Sequence, residues 1–230
     1  MKILSIDTSS KICSVAILKN TTLLKEISIN NGYTHSEILM PTIKQILEET
    51  NLKLTDINLL VVDKGPGSFT GIRIGIATVK GFTDSLNIPT IGISSLETLA
   101  YNQKENEVIC SLIDAKNGHV YSGIFENING NYVERRKLSF DDIDDLLEEL
   151  KNLNLEYSIC FVGDGAICNK ELILSKLPNS TFCLTNDVSA YNLGLAGLNK
   201  FTSNGADKDI LPLYLRKPQA ERMLENKNGK

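Results

Sequence analysis

Met1 to Ile29 reads MKILSIDTSSKICSVAILKNTTLLKEISI, and this stretch decides the fold. Three apolar-rich runs, Lys2 to Asp7, Cys13 to Lys19 and Thr22 to Ile29, are separated only by Ser/Lys and Asn-Thr turn chemistry, which predicts an antiparallel meander of three strands. Thr34-His-Ser-Glu37 then has the Thr-x-x-Glu form of a capping box. A helix is expected from there to about Thr50, with Leu39, Met40, Ile43, Ile46 and Leu47 on one face. A strand at Leu59 to Asp63, a helix from about Thr70 to Leu86, a strand at Ile88 to Ile93 and a helix capped by Ser94-x-x-Glu97 complete the order βββαβαβα.

The second half reads the same way. Strands are expected at Val108 to Asp114, His119 to Glu126 and Tyr132 to Leu138, then an acidic amphipathic helix over Asp141 to Leu153 and a strand at Ser158 to Val162. A helix near Ala166 to Lys176, a short strand at Thr181 to Leu184 and a helix from about Ser189 to Phe201 follow. No residue-level repeat accompanies this repeated order, so the duplication is architectural, with its boundary in the polar stretch at residues 102–107. The expected units are an N-terminal lobe, 1–104, and a C-terminal lobe, 105–230. Duplicated βββαβαβα lobes resemble the two-lobed α/β fold of actin, Hsp70 and the sugar kinases (ASKHA), in which ATP sits between the lobes on loops that follow the first strand of each. The matching strand ends here are Asp7-Thr8-Ser9-Ser10 and Asp114-Ala-Lys-Asn-Gly118. Such loops can offer N–H groups and hydroxyls to phosphates and an Asp to Mg²⁺, while Asp and Ser also end strands simply as turn formers.

Composition narrows the function classes. With 230 residues, 42% of them hydrophobic and 23% charged, the chain is neither fibrous nor disordered. Residues 1–100 carry nine basic and nine acidic residues, 101–215 carry ten and seventeen, and the last fifteen carry five and two. Lacking a basic stripe, with its densest charge the acidic run Asp141 to Glu149, the chain is not expected to grip nucleic acid alone. The basic tail from Arg216 reads as a solvated tail. Cys13, Cys110, Cys160, Cys168 and Cys183 are odd in number, widely spaced and mostly within apolar runs, which fits reduced thiols in a cytoplasmic protein. Two histidines and no Cys-x-x-Cys leave no Cys/His zinc pattern, and no run approaches the ~20 apolar residues of a membrane span.

Residues 64–86, KGPGSFTGIRIGIATVKGFTDSL, carry four glycines between positions 65 and 75, yet neither Walker nor dinucleotide spacing is present. Projected at about 100° per residue, Ile72, Ile76, Val79 and Leu86 form one helix stripe and Gly71, Gly75, Thr78 and Phe82 a second. Interior Gly75 and Gly81 each cost about 1 kcal/mol against Ala, and the usual compensation is close approach of another backbone. The approaching element is either the helix that starts at Thr34 or a helix of a second polypeptide.

Gly65-Pro-Gly-Ser-Phe-Thr-Gly-Ile-Arg-Ile-Gly75 is the most specific part of a wider pattern. With Ile6-Asp-Thr-Ser9, His35-Ser-Glu37, Asp114-Ala115, Val120-Tyr121, Gly163-Asp-Gly165 and Pro212-Leu-Tyr-Leu-Arg216, it resembles the TsaB (YeaZ) family over nearly the whole chain. Where that family often has Arg and Glu after the second-loop Asp-Ala, Lys116 and His119 stand here, and Lys cannot reproduce a bidentate Arg fork.

The resemblance implies a non-catalytic subunit of bacterial threonylcarbamoyladenosine synthesis. Its partner and paralogue TsaD transfers the threonylcarbamoyl group to the adenosine beside the anticodon of ANN-decoding tRNAs. TsaE, an ATPase, joins them, and a separate enzyme makes the activated adenylate. Implied too are a homodimer in isolation and tRNA contact only through the complex. A partner interface is expected on His35, Leu39, Ile43, Ile46, Gly71, Gly75, Thr78 and Phe82, with vestigial nucleotide loops at Asp7, Thr8, Ser9 and Asp114 and no resident cofactor or metal. Whether ATP or ADP binds at the inter-subunit junction stays open. The catalytic paralogue holds its metal with His-x-x-x-His on the first long helix, whereas here His35 is followed four residues on by Leu39. A sugar-kinase-like phosphotransferase would need a catalytic Asp between the lobes and a Gly-Gly adenosine loop, of which Gly163-Asp-Gly165 is a poor version. A glycoprotease-like metallohydrolase would need a second metal ligand.

Overall fold

The computed structural model describes residues 1–104, 108–152 and 158–216. Part of the expected linker (105–107), the last residue of the expected acidic helix (153) and the basic tail beyond Arg216 lie outside the described residues.

Two five-stranded sheets share one topology. The first is ordered β3-β2-β1-β4-β5, from β1 (Lys2–Asp7), β2 (Cys13–Lys19), β3 (Thr22–Ile29), β4 (Leu59–Asp63) and β5 (Thr90–Ile93). The second is ordered β10-β9-β6-β7-β8, from β6 (Val108–Asp114), β7 (His119–Ile128), β8 (Asn131–Asp142), β9 (Ile159–Val162) and β10 (Thr181–Phe182). In each sheet the first strand pairs antiparallel with the second and parallel with the fourth. This is the duplicated lobe expected from the element order.

Helix α1 (His35–Glu49) and helix α2 (Phe69–Leu86) cover one face of the first sheet. The Glu37 carboxylate accepts the Thr34 backbone N–H at 2.9 Å and starts α1, and the Ser68 hydroxyl accepts the Gly71 N–H at 3.2 Å and starts α2. Strand alternation sends Leu4, Ile6, Val15 and Ile17 to this face, where they meet Leu39, Ile43, Ile46, Ile72, Ile76 and Val79. Each fully buried aliphatic side chain contributes about 1.5–3 kcal/mol, so this contact outweighs what propensity alone gives either helix.

Helix α3 (Ser95–Ala100) lies between the sheets, with Leu96 and Leu99 packed on Ile109, Phe125 and Val162. Helix α4 (Ile143–Asn152) and helix α6 (Lys170–Lys176) cover the outer face of the second sheet, while α5 (Asp164–Cys168) packs against β6 and β9. Helix α7 (Ala190–Asn204) crosses back, and its Ala190, Leu193 and Ala196 meet Ile3, Leu18, Val61 and Ile91 of the first sheet. The division at 104/105 places this helix with the second lobe in sequence; its packing is with the first.

Two expected helices differ. The acidic helix begins at Ile143, because Asp141 and Asp142 are the last residues of β8, Asp141 paired with Arg136 at 3.0 Å and Asp142 accepting the Asp144 N–H at 2.9 Å. The helix near 166–176 is split at Asn169, whose side-chain amide donates to the Gly165 carbonyl at 2.8 Å. Among the described residues no helix is long and apolar enough to cross a membrane.

Candidate functional site

A cleft of about 880 Å³ separates the lobes, lined by the loop after β1, the approach to α1, the Gly-Pro-Gly loop, Asp114 and Lys116 after β6, and residues 186–188. It lies where the fold places nucleotides, so the two strand-end loops can be tested residue by residue.

The first loop is engaged by its own lobe. Asp7 is fully buried and its Oδ1 accepts the Ser9 N–H at 2.7 Å. The Thr8 hydroxyl donates to the Gly71 carbonyl at 2.7 Å, and the Ser68 N–H donates to the Ser9 carbonyl at 2.6 Å. A Cβ at Gly71 would stand 2.0 Å from the Thr8 carbonyl oxygen, so glycine is required for this approach. His35 Nε2 lies 2.8 Å from the Ser10 carbonyl, which makes it the protonated nitrogen and leaves a buried, unpartnered Nδ1.

Beneath this junction sits a residue the sequence reading missed. Asp63 ends β4, and the parallel register Ile6↔Val62 sets it beside Asp7. Its Oδ1 accepts the Gly65 N–H at 2.6 Å and the Ser95 hydroxyl at 2.7 Å, while the Oδ2 atoms of Asp7 and Asp63 are both buried without partners. Burial pushes Asp7 up to about 6 despite its hydrogen bonds to Ser9, and burial followed by the neighbouring Asp7 holds Asp63 well above the ordinary carboxylate range. An Asp closing a buried strand was the signal that marked Asp7 and Asp114, and Leu59-Leu-Val-Val-Asp63 carries it too.

The second loop is also engaged. Asp114 accepts the Lys116 N–H at 2.9 Å and pairs with the Lys116 ammonium; against a desolvation cost, Lys116 holds its carboxyl below the usual range. The Asp114 N–H donates to Asp164 at 3.0 Å. A Mg²⁺–nucleotide needs an exposed carboxylate and uncommitted donors; Asp7 is inaccessible and Asp114 is committed to Lys116. Neither carboxylate is therefore placed to hold a metal-bound phosphate as it stands. Nor does the second-loop histidine aim at chemistry: His119 Nδ1 lies 2.8 Å from the Asn117 carbonyl and the ring stacks on Phe140 at 4.9 Å.

The residues expected to face a partner divide. Leu39, Ile43 and Ile46, at most 2% exposed, are core contacts of their own lobe, a correction to their reading as an interface. Gly71 and Gly75 are likewise occupied within the chain: the approaching element is the β1–β2 loop, with Thr8 Oγ1 2.6 Å from a Cβ built at Gly75, rather than a second helix. Phe82 packs at the core's edge, and Thr78 is half-buried with its hydroxyl turned to the Ile74 carbonyl at 2.9 Å. The outward face of the helix pair is instead Met40, Ala77 and Gly81, beside half-buried Ile74 and Thr78. A Cβ at Gly81 meets nothing within 4 Å.

The Pro212-Leu-Tyr-Leu-Arg216 segment ties this region to both lobes. The Leu213 N–H donates to the Lys64 carbonyl at 2.7 Å, and Tyr214 stacks on Phe69 at 4.7 Å. Arg73 lies 3.9 Å from the centre of the Phe69 ring and donates to the Tyr214 hydroxyl at 2.8 Å. Arg216 reaches across to the Ala115 carbonyl at 3.3 Å and to the face of Phe140 at 4.6 Å.

Two topologically matched lobes around a cleft place the protein in the actin-like, sugar-kinase-like class, and solved structures agree. YeaZ from Pseudomonas aeruginosa superimposes with a TM-score of 0.76 at 24% identity, covering 93% of this chain and 99% of that one. ROK hexokinase from Thermus thermophilus gives 0.55 at 10% identity, covering 89% of this chain and 100% of that one. The family model described as "TsaD: tRNA N6-adenosine threonylcarbamoyltransferase" matches residues 23–223. "tRNA threonylcarbamoyladenosine biosynthesis protein TsaB" of Bacillus subtilis (strain 168) is 33% identical over 225 residues, 96% of each chain. The protein of the same description from Escherichia coli (strain K12) is 37% identical over 124 residues, 53% of each chain. The chain belongs to the TsaB (YeaZ) family.

Proposed function

We propose that the protein acts in tRNA threonylcarbamoyladenosine biosynthesis as a non-catalytic subunit that binds TsaD through the outward face of α1 and α2. The observation that carries this reading is the division of that helix pair. Its inner face is spent on the lobe's own sheet and on the β1–β2 loop, whereas the outer face keeps an interior glycine with nothing near it. An exposed helical glycine costs about 1 kcal/mol against Ala, and close docking of a partner backbone compensates for that cost. On α1, Met40 is an apolar side chain left 51% exposed.

The non-catalytic part of the reading is supported by α1. One turn after His35, on the face where a second imidazole would share a metal, stands Leu39, buried in the core. His35 itself is held by the Ser10 carbonyl. The same face makes a homodimer when TsaD is absent, TsaE joins the heterodimer, and tRNA is met only in the assembly.

Gly81→Leu tests the interface, because its side chain enters space empty in the isolated chain. Sedimentation is expected to show homodimer and TsaD binding weakened at least about tenfold, about 1.4 kcal/mol, with the melting temperature not lowered. Unchanged association overturns the interface. The isolated protein with threonylcarbamoyl-adenylate and tRNA is expected to give no modified adenosine, with or without divalent metal; product formed by it alone overturns the non-catalytic assignment.

A further inference from the structure

We propose that Cys160 and Cys183 form a reversible dithiol–disulfide switch that pins one wall of the inter-lobe cleft. Strands β9 and β10 run parallel with Thr181 opposite Cys160 and Phe182 opposite Phe161, and the Cys183 N–H donates to the Phe161 carbonyl at 3.0 Å. The chain beyond β10 therefore brings the Cys183 thiol to 3.8 Å from the Cys160 thiol, Sγ to Sγ. Bonding requires the sulfurs to close from 3.8 Å to about 2 Å, and because Cys183 lies diagonally from Cys160 this takes movement of the chain that follows β10. The Gln103 side-chain amide donates to Cys160 Sγ at 3.5 Å and helps fix the position of that sulfur.

The remaining thiols differ in kind. Cys13 and Cys110 are fully buried, and burial pushes both up, Cys13 to about 12. Cys168 is exposed and serves as an internal comparison. Of the paired thiols, Cys183 is partly exposed and Cys160 is buried.

An oxidant therefore meets Cys183 first. With hydrogen peroxide, the Cys183 thiolate attacks one peroxide oxygen, the O–O bond breaks, and sulfenic acid forms with loss of water after proton transfer. The Cys160 thiolate then attacks the sulfenic sulfur, the S–O bond breaks, and a second water leaves. Two thiols and one peroxide give one disulfide and two waters, the two sulfurs supplying the two electrons. A dithiol reductant reverses the bond by exchange.

The bond's consequence lies in the following residues. Asn186 accepts the Gly163 N–H at 2.9 Å and donates to the Cys183 carbonyl at 3.0 Å, and residues 186–188 line the cleft. In the dithiol form this wall is held to the end of β9 by hydrogen bonds and apolar packing, including Val188 against Val162. The disulfide adds a covalent tie at its root.

The test uses the full chain in its wild-type form and as Cys168→Ser, each exposed to hydrogen peroxide, alkylated, digested without reductant and analysed by mass spectrometry. A Cys160–Cys183 linked peptide lacking two hydrogens and split by dithiothreitol is expected in both proteins and absent from Cys183→Ser. Oxidation is further expected to slow amide exchange at residues 184–187 by about tenfold, as removal of a local opening mode would. Recovery of Cys160 and Cys183 as alkylated thiols, or as separate sulfinic acids, overturns the pairing. A linked peptide with unchanged exchange at 184–187 overturns the switch.

Discussion

Gly71→Ala is expected to destabilise the protein by about 3–5 kcal/mol, lowering its melting temperature by on the order of 10 °C. The added methyl would stand 2.0 Å from the Thr8 carbonyl oxygen and 2.9 Å from the His35 ring. Relief requires α2 to withdraw from the β1–β2 loop. That movement breaks the Thr8 hydroxyl bond to the Gly71 carbonyl and strains the Ser68 to Ser9 bond at 2.6 Å. Gly81→Ala, on the same helix, is the control: with no atom of its own chain within 4 Å, it should stabilise the monomer, measured at a dilution where the chain does not dimerise, by about 0.5–1 kcal/mol through lower chain entropy. Chemical denaturation separates the two variants. Equal effects would contradict the assignment of inner and outer faces.

Asp63→Asn is expected to act in the opposite sense, raising stability at pH 8. The amide keeps an acceptor for the Gly65 N–H and the Ser95 hydroxyl and removes one of two adjacent buried carboxyls. The pH dependence follows from the raised values, about 6 for Asp7 and well above the ordinary carboxylate range for Asp63, against 3.8 in the unfolded chain. Above pH 4 the folded pair retains protons that the unfolded chain has released. Wild-type stability contributed by this pair is therefore present at low pH and falls as pH rises through those values. Asp63→Asn should flatten that fall, so the two stability curves diverge with increasing pH. Parallel curves would show that the carboxyls do not share this electrostatic burden.

Much of the fold was legible because local signals agreed. Three strands, a helix and a further buried strand recur in order in both halves, and the two sheets have the same topology. The glycine stripe was legible in kind: Gly71 and Gly75 did announce a close backbone approach. Its partner was not, because periodicity records that a face is covered without naming the cover, and here the cover is Thr8, 63 residues away from Gly71. Leu39, Ile43 and Ile46 were misread for the same reason, since an apolar helix face suits its own sheet as well as another chain. Asp63 escaped because its meaning depends on register with Asp7, a long-range pairing. Asp141 read as helix because acidic residues suit a first turn, yet the Arg136 pair holds it at the end of β8.

The proposed function divides the labour between an outward helix face for binding and a cleft whose first loop is engaged by its own lobe. Modification of tRNA in a mixture of TsaD, TsaE, threonylcarbamoyl-adenylate and this protein tests it most directly, comparing wild type with Gly81→Leu and with the cleft variant Lys116→Ala. The account predicts that Gly81→Leu abolishes the stimulation of TsaD while Lys116→Ala matches wild type. Full stimulation by Gly81→Leu, with loss in Lys116→Ala, would contradict it.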